Sequence, residues 1–94
     1  MAISDVVSDL QVLTQNGTLD IQPPSGEEWL IINVFTFATI EIYFVNSSQS
    51  IFVKSISFGL EAFCQYHVTS TRWLRLKAVE TGGAKVGYTG VAIK

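Results

Sequence analysis

The only histidine of this 94-residue chain, His67, stands three residues after the only cysteine, Cys64. Cys-x-x-His is a spacing that metal sites and thiol nucleophiles both use. Residues three apart on a strand point to opposite faces, so the two are expected to share neither an ion nor a proton. No other cysteine or histidine exists to complete a tetrahedral set. A buried, inert thiol is the ordinary reading of Cys64. Glu27 and Glu28 are adjacent, so on a strand they project to opposite sides and make a poor general acid/base pair. A serine-hydrolase triad would have to use His67, and the Gly-x-Ser-x-Gly elbow is absent. Thr81-Gly82-Gly83-Ala84-Lys85 places a lysine after glycines but lacks the phosphate-loop pattern, and it reads as a hairpin turn. Asn16-Gly17-Thr18 and Asn46-Ser47-Ser48 match the glycosylation pattern and read as turns. The chemistry-bearing residues therefore predict no catalytic site, no metal and no cofactor.

The elements that must position these residues are short strands. They are expected near Thr18 to Gln22, Glu28 to Phe37, Thr39 to Val45, Ser50 to Lys54, Glu61 to Val68, Arg72 to Val79 and Lys85 to Ile93. Between them lie Asn, Gly, Pro and Ser clusters, which turn the chain at low cost. Strands recurring every 8 to 12 residues or so suggest a sandwich or a barrel. Leu74, Leu76 and Ala78 alternate with Arg75 and Lys77, and Ile40, Ile42 and Phe44 with Glu41, Tyr43 and Val45. This is the pattern of strands with one dry face. Strict alternation puts Trp29, Ile31, Phe35 and Phe37 on one face and Leu30, Ile32 and Val34 on the other, so that strand wants both faces dry. It is either a subunit contact or a central strand with a covered outer face. Ile3, Val6, Val7, Leu10 and Leu13 instead recur at helical spacing, in a segment too short to be stable as an isolated helix. Residues 1–12 are read as an N-terminal arm, on its own domain or a neighbour, and residues 13–94 as one all-β domain of about seven or eight strands. Deleting residues 1–10 is expected to weaken attachment more than folding.

Hydrophobic residues make up 48% of the chain and charged residues 15%, against about 25% charged in ordinary soluble domains. A small domain has much surface for its volume, so apolar surface should be left for contact with other subunits. The net charge of -2 and the lack of a basic cluster argue against a nucleic-acid partner. No apolar run reaches the roughly 18 to 20 residues that cross a bilayer, so no membrane partner is expected. The start of the chain lacks the basic and apolar regions of a signal peptide, which predicts a protein made and kept in a cytoplasm. A lone cysteine leaves no intrachain disulfide.

Gln22-Pro23-Pro24-Ser25-Gly26-Glu27-Glu28-Trp29 entering an apolar strand is followed by His67-Val68-Thr69-Ser70 before Trp73-Leu74-Arg75-Leu76-Lys77, and then by Gly87-Tyr88-Thr89-Gly90-Val91. From Leu19 to Ile93 this pattern resembles small proteins of tailed bacteriophages and prophages, among them the capsid cement or decoration proteins. The resemblance implies an antiparallel β-sandwich, jelly-roll-like, that trimerises on the outside of a head. There it would contact the major capsid protein, bridge capsomers and reinforce the shell. It implies a virion location after assembly in a bacterial cytoplasm, and no active-site residues. Such a protein needs contact anchors. The candidates are Ile3, Val6, Val7 and Leu10 of the arm and the aromatic residues Trp29, Phe35, Phe37 and Tyr43, whose ordinary alternative is the core. The rival reading is a tail- or fibre-associated module that binds carbohydrate or a receptor, with the Asn46-Ser47-Ser48-Gln49 loop beside Tyr43 as its site. A small enzyme is the third, and it lacks a convergent set of His, Cys and acid.

Overall fold

The computed structural model describes residues 5–57 and 59–94, with only the backbone for residues 59–64. Eight strands follow one another: β1 (Val6–Leu13), β2 (Thr18–Ile21), β3 (Glu28–Thr36), β4 (Ile40–Val45), β5 (Ser50–Ile56), β6 (Gly59–Thr69), β7 (Trp73–Ala78) and β8 (Ala84–Ala92). They form two antiparallel four-stranded sheets, ordered β1-β8-β3-β6 and β2-β7-β4-β5. Of the connections, only β4 to β5 joins neighbours in one sheet, and every other one crosses between sheets. This is the jelly-roll arrangement of a β-sandwich.

All seven strands expected from alternation and turn chemistry are present. The first segment is the exception. Residues 6–13 form β1, paired in unbroken register with β8 from Val6↔Val91 to Leu13↔Ala84. The apparent helical spacing arose because Val7 faces the core while Val6 and Leu10 face outward, which mixes two strand faces into one false stripe. The arm is thus an integral edge strand. Val7 is 2% exposed within the core cluster, so removing residues 1–10 takes away core as well as surface. The stretch around Gly82 and Gly83 is also not a hairpin. It carries the chain from β7 in one sheet to β8 in the other, with Gly83 at φ 77° and its N–H donated to Glu80 O at 2.9 Å.

The core sits between the sheets. Ile31, Val34, Val68 and Val86 of one sheet meet Ile21, Ile40, Ile42, Leu74, Leu76 and Ala78 of the other, all fully buried. Strand β3 departs from simple alternation. Its pairing with β8 passes from Ile31↔Gly90 to Asn33↔Thr89, so Ile32 is an extra residue, a β-bulge. One added residue reverses the phase of everything beyond it. Trp29 and Ile31 point inward before the bulge, and Val34 and Thr36 after it, which turns Phe35 outward. Among the described residues Thr36 is the buried polar one, and its hydroxyl donates to Ala38 O at 2.5 Å while accepting from Ala38 N at 3.2 Å.

The bulge needs room on β8, and Gly90 provides it. A Cβ at Gly90 would fall 2.3 Å from Leu30 O and 2.9 Å from Ile31 Cα, both backbone atoms. Gly90→Ala should therefore destabilise the domain by about 1–3 kcal/mol through overpacking. Gly82, with nothing within 4 Å of a would-be Cβ, should accept alanine with little change. Urea midpoints of the two variants test this, and equal midpoints would contradict the close approach.

Candidate functional site

Directly paired residues of antiparallel strands project to the same side. The register therefore lays out the outer face of the β1-β8-β3-β6 sheet row by row. Val6, Val91, Leu30 and His67 form the first row, and Ser8, Thr89 and Asn33 the second. Leu10, Gly87 and Phe35 form the third. Val12 and Lys85 lead to Phe37 in the last, where Phe37 N donates to Lys85 O and the Lys85 Nζ stands 5.9 Å from the Phe37 ring centroid. Val6 is 72% exposed, Leu10 and Val12 75%, Phe37 66% and Phe35 37%. No described part of the chain covers them.

Gly87 shapes the middle of this face. A Cβ there would meet Asp9 O at 2.8 Å and Leu10 Cδ2 at 3.0 Å, so its absence lets Leu10 lie against β8. A depression of about 500 Å³ opens over it, walled by Ser8, Leu10, Phe35 and Thr89. Asp9 caps the outer edge of β1, accepting from Leu10 N at 2.8 Å and from Gln11 Nε2 at 2.9 Å. A satisfied N–H on an edge strand is a poor template for pairing with another strand.

Of the eight contact residues expected from sequence, the fold brings Val6, Leu10, Phe35 and Phe37 together on this face. Val7 and Trp29 are core instead, because their parity along β1 and β3 points them inward; Trp29 also donates its Nε1–H to Glu27 Oε1 at 3.4 Å. Tyr43 lies on the other sheet. Ile3 falls outside the described residues. Leu30 joins the patch from the second apolar face of β3, and Val12 and Val91 join it unanticipated, although alternation through Val6, Ser8, Leu10 and Val12 was the signal for Val12.

At one end of the face, His67 Nε2 lies 2.7 Å from Glu28 Oε1 and Lys94 Nζ 3.6 Å from Glu28 Oε2. Glu28 stays in the outward parity and Glu27 turns to Trp29, so the two acids are held apart. The expectation that Cys64 and His67 face opposite ways rested on unbroken alternation. Between them Gln65 has φ 52°, where β6 is irregular against Ile31 and Asn33, so alternation no longer relates the two; the Cys64 side chain is outside the described atoms. Among the described residues there is no cluster of three or more His, Cys, Asp or Glu placed to hold a metal.

The second sheet has a different outer face. Arg75 is paired in register with Asp20 and Tyr43, and Lys77 with Thr18 and Glu41. Beyond it, at the opposite end of the strand order from β2, the edge strand β5 exposes Ile51, Phe52 and Val53.

No protein-family model and no curated protein matches the chain. Among solved structures it is similar to the nucleoplasmin-like N-terminal domain of Drosophila FKBP39. The TM-score is 0.67 over 100% of this chain and 93% of that chain, at 11% sequence identity. At that identity the likeness is one of fold.

The Glu28 carboxyl is held below its usual range, first by the hydrogen bond from His67 and further by the positive charge of Lys94, against an opposing effect of desolvation. A lowered folded-state value means the pairing supports the fold above the unfolded carboxylate range and is lost as pH falls through the folded value. His67→Ala should raise the Glu28 titration midpoint toward the ordinary carboxylate value, read from side-chain carboxyl NMR shifts. An unmoved midpoint would assign the lowering to another source.

Proposed function

We propose that this chain is a non-enzymatic assembly protein that associates through the outer face of its β1-β8-β3-β6 sheet, and that its setting is a tailed-phage particle, as a capsid cement protein. The observation that supports association is the exposed group Val6, Leu10, Val12, Phe35 and Phe37, gathered from β1 and from the end of β3 with the residue after it. Large apolar side chains sharing one face of a small domain mark a contact surface. Four strands about 4.8 Å apart and eight residues at about 3.3 Å give a face of roughly 19 by 26 Å. That is about 500 Å², below the roughly 800 Å² each partner gives to a standard interface, so a second patch has to add to it.

A second apolar patch favours a ring of copies. Ile51, Phe52 and Val53 lie on β5, and β1 and β5 stand at opposite ends of the two strand orders. A two-fold dimer joins one patch to itself and leaves the other wet, whereas head-to-tail contacts join unlike patches and close into a ring when the rotation allows. A trimer is the smallest such ring and is the state proposed. The phage setting is supported by the sequence resemblance, and the docking of a trimer on a shell requires no catalytic group.

Sedimentation velocity of the purified chain should give a trimer that adds to phage heads assembled without it. The double variant Leu10→Asp, Phe35→Asp should sediment as a monomer and fail to add. Leu10 is 75% exposed and Phe35 37%, so the variant should stay folded, with its stability to urea lowered by about 1–2 kcal/mol, mostly from Phe35. A wild-type chain that stays monomeric and does not bind such heads would defeat the proposal.

A further inference from the structure

We infer that the outer face of the β2-β7-β4-β5 sheet carries a binding groove for a neutral sugar ring, between Tyr43, Arg75 and the Asn46–Ser50 turn. Two adjoining depressions of about 340 and 370 Å³ lie along this face and share Ser50 and Arg75 as walls. Both are shallow and open along the sheet face. One is bounded by the turn and Trp73, the other by Asn16, Thr18, Tyr43 and Lys77. Amide, hydroxyl and aromatic side chains therefore converge from four separate segments of the chain.

The polar groups are pre-set. Arg75 is held by Asp20 through two hydrogen bonds, Nε to Oδ1 at 2.7 Å and Nη2 to Oδ2 at 3.0 Å. The Tyr43 hydroxyl donates to Glu41 Oε1 at 2.6 Å, and its ring meets Phe52 edge-on at 5.7 Å and 68°. The Glu41 hydrogen bond, with burial, holds the Tyr43 phenol above its usual range. The turn is braced by Asn46 Oδ1, which accepts from Ser48 N at 2.9 Å and Gln49 N at 2.8 Å. Groups fixed in this way lose little freedom when a ligand arrives.

Charge selects the ligand class. Arg75 is neutralised by Asp20, and Lys77 stands opposite Glu41 in register. An anionic ligand at Arg75 would have to displace Asp20, whereas hydroxyl groups can use the remaining donor and acceptor capacity of Arg75, Ser50 and Gln49 without disturbing that pair. An aromatic ring beside such polar groups suits the C–H face of a pyranose. Trp73 walls one of the two depressions beside the Asn46–Ser50 turn, so its indole reports on that part of the face.

Saturation-transfer NMR tests this on the full chain. The probes are methyl glycosides of neutral hexoses and N-acetylhexosamines at millimolar concentration, with a sialylated and a sulfated disaccharide as charged comparators. At least one neutral glycoside should receive saturation and shift the Trp73 indole N–H resonance. Tyr43→Ala and Arg75→Ala should each weaken that binding about tenfold, 1.4 kcal/mol, with Arg75→Ala the cleaner variant because its side chain is outside the core. The Leu10→Asp, Phe35→Asp variant, on the opposite sheet, should bind as wild type whether or not it still associates, which separates this site from the assembly surface. The inference is overturned by silence from every neutral glycoside, by binding confined to the charged comparators, or by binding that survives both groove substitutions.

Discussion

The single extra residue at Ile32 governs the rest of this molecule. A strand that alternated without interruption would send Phe35 and Phe37 to the same side as Trp29 and Ile31, and Val34 to the opposite one. With the bulge, Val34 and Thr36 enter the core and Phe35 turns to solvent. The core gains a β-branched side chain and a self-satisfied hydroxyl, and the surface gains an aromatic ring. Gly90 is the matching feature on β8, because no other residue lets the bulged backbone come so close. Core composition and surface character thus depend on one register shift.

The sandwich that results has two unlike outer surfaces. On the β1-β8-β3-β6 side, apolar residues from the first and third strands align across Gly87, and the polar row of Ser8, Thr89 and Asn33 separates them from Val6. On the β2-β7-β4-β5 side, charges are paired across strands and aromatic residues stand among hydroxyl and amide groups. A domain that presents its two layers so differently is suited to sit on a surface by one side while the other meets solvent and its solutes.

Much of the fold was legible in the sequence. Seven strands followed from turn residues and alternation, and the inward set Leu74, Leu76 and Ala78 and the pair Ile40 and Ile42 fell where period two put them. Strand β1 was obscured because its two faces are both largely apolar, so Val6, Val7 and Leu10 imitate a helical stripe. The candidate surface was half legible. Apolar side chains were identifiable as contact anchors, but not which of them faced out: Val7 and Trp29 went inward, Phe35 and Phe37 outward.

The sequence by itself determined that this is an all-β chain of short strands whose apolar residues exceed what one core requires, because propensity, turn chemistry and composition act locally and need no knowledge of neighbours. Only the tertiary structure decided which apolar residues remain outside. That choice rests on a bulge stabilised by a glycine 58 positions away, Ile32 against Gly90, and on strands paired across most of the chain, and no local pattern encodes the register between segments so far apart.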